Sequence, residues 1–181
     1  MGKCKVEPKL YILLAVLFFI IPLKWMVAWF VAVCLHELFH FVAVKLYGGN
    51  VCAFTLGLSG AKMECDGLSE RQYLLSVLAG PIGGFLVILL GRWFPRLAIS
   101  SWLLSMYNLL PILPLDGGRA MELLLKDKSK HIENIVLIIL MVLALYTGMF
   151  MNFGVLPIVV VVTLWLKNRK IPCNGAIDRV Q

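Results

Sequence analysis

The sequence predicts an all-α integral membrane protein of a single domain, 1–181, with about six transmembrane helices and a small membrane-associated β insert between the second and third. Three observations lead there. Of the 181 residues, 61% are hydrophobic and 15% charged, and the mean hydropathy is +0.90. A soluble domain carries about a quarter charged residues and at most about half apolar ones. The apolar residues also gather in six runs of 14 to 23 residues, where crossing the hydrocarbon core takes about 20. Lastly, the basic residues divide unevenly between the two sides that six crossings would create. Soluble, disordered and collagen-like classes are excluded. The net charge of +7 does not point to nucleic acid, because no basic, aromatic-interleaved helix or compact basic domain is present.

The first run, Leu10–Leu23, follows Lys3, Lys5 and Lys9 and closes at Pro22 and Lys24. A basic stretch before a short apolar run also describes a cleaved signal peptide, but no convincing small-x-small site follows, and the run reads as a retained helix. The second, Trp25–Tyr47, reaches roughly 34 Å at 1.5 Å per residue, enough to span. Between Gly48 and Gly67 the pattern changes. Val51, Phe54, Leu56 and Leu58 sit among Gly49, Gly57, Gly60 and Gly67, which suggests short strands and turns over residues 48–67. The third run is Tyr73–Gly91 and the fourth Leu97–Leu115. The fifth, Ile132–Phe150, and the sixth, Phe153–Leu166, are parted only by Met151 and Asn152, so residues 132–166 read as a trailing helical hairpin.

With the N-terminus inside, 14 of the 17 Lys and Arg residues fall on the cytoplasmic side, leaving Lys24, Arg92 and Arg96 outside. Positive charge accumulates in cytoplasmic loops. Both termini are therefore expected in the cytoplasm and the chain in the cell membrane, crossing it several times. The five cysteines are odd in number and lack CxxC spacing, so neither a disulfide framework nor a thiolate zinc site is indicated.

His36-Glu37-Leu38-Phe39-His40 is an HExxH motif inside the second run. Residues four apart share a helix face, so both imidazoles can address one metal ion, with Glu37 beside it as a base. Zinc suits two neutral imidazoles and a carboxylate, with a fourth position open for water whose pKa the ion lowers. The plainer reading is a helix-to-helix hydrogen-bonding histidine. Three ionisable groups within five residues of an apolar span cost too much for that, since each charge costs at least about 2.5–3.5 kcal/mol in hydrocarbon.

A third ligand is expected from Asn108-Leu109-Leu110-Pro111-Ile112-Leu113-Pro114-Leu115-Asp116-Gly117-Gly118-Arg119. Two prolines prevent a regular helix, and the glycine pair permits a tight turn after the Asp116 carboxylate. Irregular backbone at membrane depth survives only inside protein or along a wet cavity. An Asp in a DGG turn at the interface is the bland alternative, which the HExxH motif in the same membrane outweighs. Glu64, Glu70, Glu122, Glu133 and His131 compete as ligands, but each lies in a polar connection or at a segment edge.

Together with Ala79-Gly80-Pro81 and Gly84, these motifs make the chain resemble the site-2 protease family of intramembrane zinc metalloproteases. The resemblance covers most of residues 25–119, taken as a catalytic core of three helices, and looks most like the stage IV sporulation protein FB branch. It implies a metalloendopeptidase that cuts a membrane-associated regulatory protein near the cytoplasmic face. His36, His40 and Asp116 would bind one zinc ion per chain, Glu37 would act as general base and acid, and Asn108 would hold substrate or the developing oxyanion. The strand-like insert would offer an edge to extended substrate. Two departures stand out. The C-terminal cystathionine-β-synthase-type regulatory domain common in that branch is not among these residues, and Phe39 stands where the family often has Gly.

Those departures keep a second reading open, a catalytically silent membrane adaptor that binds the same substrates. The retained Glu37 argues against it, since a structural metal site has no use for a base. A metal-ion transporter lacks the second row of intramembrane ligands it would need. The expected partners are the lipid bilayer, a membrane-associated protein substrate and a regulatory membrane protein. Gly80 and Gly84 form a GxxxG pattern that serves either close packing within the chain or a homodimer.

Overall fold

Residues 23–46 contain neither Gly nor Pro and follow Pro22. In lipid such a run satisfies its backbone only by coiling into a helix. That helix is α1, Leu23–Leu46. The computed structural model describes residues 3–6, 21–57, 60–150 and 161–166. They belong to two compact units, one ending at Asn108 and the other beginning at Leu109.

In the first unit, α1 ends where Gly48 takes a left-handed φ of +78°, a conformation glycine adopts at no steric cost. The amide of Gly48 donates to Lys45 O, and that of Gly49 donates to Val44 O. The chain then enters a sheet ordered β1-β2-β3, with β1 at Lys3–Val6, β2 at Asn50–Gly57 and β3 at Gly60–Asp66. β2 and β3 form an antiparallel hairpin in the register Asn50↔Asp66 to Gly57↔Gly60, with a bulge between Val51 and Ala53. The expected insert is therefore a real hairpin. β1 pairs with β2 in parallel, Lys3 opposite Ala53, and four residues with two lysines carried no signal for it. Val44, Cys65 and Leu68, with Val51 and Tyr73 packed on them, fasten the hairpin base to the end of α1.

The next helix, α2, spans Glu70–Val87 and continues as a 3-10 turn to Arg92. Ser69 and Gln72 close a capping box at its start, Ser69 N donating to Gln72 Oε1 at 2.9 Å and Gln72 N to Ser69 Oγ at 3.4 Å. Two backbone donors at this end are thereby satisfied. Helix α3, Pro95–Asn108, opens on a proline, which suits the first helical turn. The three helices pack on one another through small residues, as helices without a hydrophobic driving force in lipid must. A Cβ at Gly80 would strike the His40 ring, one at Gly83 the Phe39 ring, and one at Gly84 Ser105 Oγ. The GxxxG face is thus occupied within the chain. Opposite it, Val27, Phe30, Leu38 and Phe41 stand exposed on α1, an apolar surface fit for lipid.

In the second unit, residues 109–115 are irregular, and α4 spans Asp116–Leu125. After a 3-10 turn over Lys126–Lys128 comes α5, Ser129–Phe150, and residues 161–166 are helical. Its core gathers Ile112, Leu115, Leu137 and Leu164, with Leu110, Val136 and Leu140 packed against them.

Among the described residues, three helices are long and apolar enough to cross a membrane: Leu23–Leu46, Glu70–Arg92 and Ser129–Thr147. These correspond to the expected second, third and fifth crossings. Most of the first run, and residues 153–160 of the sixth, lie outside the described residues. The expected fourth run is helical only to Asn108. At 14 residues α3 measures roughly 21 Å, short of a hydrocarbon core of about 30 Å.

The glycine pair also differs from expectation. Gly117 and Gly118 lie inside α4 rather than in a turn. A Cβ at Gly117 would strike the Leu109 and Leu110 backbone, and one at Gly118 the backbone of Ile112 and Leu113. They serve close approach. Gly83→Ala should cost about 1–3 kcal/mol from overpacking, and Phe39→Ala should relieve it, because the obstruction is a side chain. Gly117→Ala meets backbone, so no neighbouring side-chain truncation should rescue it. Thermal unfolding in detergent checks both.

Candidate metal centre

Both histidines lie on the face that α1 turns to its neighbours. Ala28, Ala32, His36 and Val44 are its buried residues, and His40 falls on the same four-residue repeat. His36 is 3% exposed, and His40 is half-buried. The His40 Nδ1 lies 2.7 Å from the carbonyl oxygen of Ser76 on α2. A carbonyl only accepts, so Nδ1 is the donor, and in the neutral ring Nε2 is then the nitrogen with the lone pair. That Nε2 faces His36 Nε2 at 3.2 Å, with the ring planes 84° apart.

The spacing fits a cation. Zinc–imidazole bonds of about 2.0–2.1 Å in a tetrahedral site place two ligand nitrogens roughly 3.3 Å apart. A backbone carbonyl that fixes the tautomer of a ligating histidine is the usual outer support of a metal site. Gly80, one turn beyond Ser76, is what lets the ring lie that close to α2.

Asp116 is 6% exposed and opens α4, where a carboxylate interacts favourably with the helix N-terminus. Arg119, one turn on, places Nη1 3.6 Å from Asp116 Oδ1. His36, His40 and Asp116 each offer one ligand atom, and these atoms all lie within 4.8 Å of one another. Among the described residues, no other group of three or more His, Cys, Asp or Glu is so placed. Two imidazoles and one carboxylate are a donor set suited to zinc.

The other expected residues are placed as follows. Glu37 is half-buried beside His36 on α1. Asn108 closes α3 and donates from Nδ2 to Leu104 O at 3.0 Å, which uses one of the two protons on that nitrogen. Among the competing acids, Glu70 is exposed in the first turn of α2. Glu122 and Glu133, expected at polar edges, are instead buried at 7% and 5% exposure. Ser76 was not legible in advance, because its contribution is a main-chain oxygen. Gly80 was legible only as a packing motif.

No family model matches the chain. It is 27% identical over 119 residues to a zinc metalloprotease of Methanocaldococcus jannaschii, covering 58% of this chain and 35% of that protein. The chain thus spans about a third of that relative's length. Among solved structures, the site-2 protease from Methanocaldococcus jannaschii matches with a TM-score of 0.59 at 24% identity, over 82% of this chain and 79% of that one. The fold is that of a site-2 protease. The resemblance drawn from the HExxH and NxxPxxPLDGG motifs is thereby met in overall sequence and in architecture. The site-2 protease fold and the three long apolar helices make this a membrane protein.

The expectation that Asp116 is a ligand is tested by Asp116→Ala, which should then weaken zinc binding by about 100-fold or more, beyond the 10–100-fold attached to outer partners. Glu37→Gln should leave it near wild type. Chelator competition on the purified protein, with zinc measured by elemental analysis, distinguishes the two.

Proposed function

We propose that the chain is an intramembrane zinc metalloendopeptidase that hydrolyses a peptide bond of a membrane-associated regulatory protein near the cytoplasmic face. The observation that carries this reading is the grouping of His36, His40 and Asp116 in a chain with the site-2 protease fold, directly beside the acidic residue of the HExxH motif. In this reading His36 Nε2, His40 Nε2 and the Asp116 carboxylate hold the ion. Zinc, when bound, supplies a Lewis acid that polarises the scissile carbonyl and lowers the pKa of water at its open position.

The chain's own residues do the rest. Glu37 takes a proton at its carboxylate from the attacking water and returns it to the leaving amide nitrogen. The second Nδ2 proton of Asn108 is offered to the developing oxyanion, where such a donor is worth about 3–4 kcal/mol. The Ser76 carbonyl keeps the proton of His40 on Nδ1 throughout. Since β1 covers one side of β2, extended substrate would add along the outer edge of β3.

The charge count supports both termini in the cytoplasm, with the chain crossing the cell membrane six times. The motif pattern supports the stage IV sporulation protein FB branch.

With co-expressed membrane-tethered substrates, Glu37→Gln should abolish cleavage while leaving zinc content and the melting temperature intact. Undiminished cleavage by that variant would eliminate the mechanism, and capture of a partner without cleavage by the wild type would favour the silent adaptor. Reporter fusions at either end should register as cytoplasmic.

A further inference from the structure

Glu133 sits five residues into α5, inside a stretch long and apolar enough to cross the membrane, and is 5% exposed. An acid in such a place is costly and usually has a task. Its Oε1 accepts a hydrogen bond from the backbone N–H of Leu113 at 2.5 Å. Leu113 lies between Pro111 and Pro114, in the irregular segment that delivers Asp116 to the start of α4.

The backbone donors of its stretch from Pro111 to Leu115 can be followed one by one. Pro111 and Pro114 have none. The amide of Ile112 donates to Leu110 O at 2.8 Å, and that of Leu115 to Ile112 O at 2.9 Å. The remaining donor, Leu113 N–H, has no acceptor inside the segment and reaches Glu133, 20 residues away. A buried N–H left without a partner costs about 1–3 kcal/mol.

The apolar contacts follow the same line. Val136, Leu137 and Leu140 stand three, four and seven residues beyond Glu133, on one stripe of α5, and pack with Leu110, Ile112 and Leu115. Ile112 is fully buried. α5 therefore grips the segment with an apolar stripe, and Glu133 adds a polar fastening at Leu113. The grip is passed on without slack, because Gly117 and Gly118 abut the backbone of Leu109 to Leu113.

We infer that Glu133 is a positioning residue for the metal centre: through the Leu113 amide it fixes the proline-flanked segment and thereby the Asp116 carboxylate. This rests on the proposed role of Asp116 as a ligand. Glu133 acts as an acceptor and binds no metal itself, so Gln serves in its place and Leu does not.

The test measures zinc affinity by chelator competition, and apo-protein melting, for wild type, Glu133→Gln and Glu133→Leu in detergent. Glu133→Leu should bind zinc about 10–100-fold more weakly, the range typical of lost outer support. Glu133→Gln should stay within about threefold of wild type, because its amide oxygen still accepts. Wild-type affinity in a folded Glu133→Leu protein overturns the inference, as does a Glu133→Gln protein as weak as Glu133→Leu. If Glu133→Leu does not fold, Glu133→Gln decides alone: near wild-type affinity upholds the anchor, and a 10–100-fold loss overturns it. A wild-type protein that binds no zinc sinks the metal reading instead, and the two failures are thereby told apart.

Discussion

The hydrogen bond from His40 Nδ1 to Ser76 O, 2.7 Å long, is the constraint around which the first unit is organised. An imidazole inside an apolar helix finds no water to satisfy its second nitrogen, and side-chain partners are scarce there. Main-chain carbonyls are abundant, but a side chain reaches one only where two helices nearly touch. Gly80 supplies that proximity, since any side chain there would displace the ring. The same closeness runs along α2 through Gly83 against Phe39 and Gly84 against Ser105. The buried, small Ser101 and Ser105 of α3 extend it to the third helix. The polar site and the small-residue packing thus share one face of α2, Gly80 facing His40 while Gly83 and Gly84 face Phe39 and Ser105.

How much of this could be read from the sequence depended on whether a residue acts through its side chain or its backbone. The helices with a continuous apolar run, α1, α2 and α5, were evident from hydropathy, and the 48–67 hairpin from its glycines. His36 and His40 were evident from their four-residue spacing, and Asp116 from its company of prolines and glycines. What escaped was of another kind. β1 joins the sheet through main-chain pairing, which two lysines and a cysteine within four residues do not advertise. Ser76 contributes a carbonyl. Glu133 looked like a boundary acid because its partner, Leu113 N–H, is a backbone group whose need for an acceptor shows only once the two flanking prolines are set in space.

Phe39 is accommodated by a glycine on the facing helix. Its aromatic ring stands between the two histidines in the sequence, and Gly83 lies directly opposite. A side chain at Gly83 would occupy the place of the ring, and His36 and His40 approach to 3.2 Å beside it.

The parallel pairing of β1 with β2 carries a consequence of parity. Strands that share hydrogen bonds lie on the same side of a bilayer. Between Val6 and Asn50 the polypeptide must then traverse the lipid an even number of times or not at all. Wherever α1 is embedded as a span it provides an odd count, so this short ladder of backbone bonds acts as a check on topology that owes nothing to hydropathy or to charge.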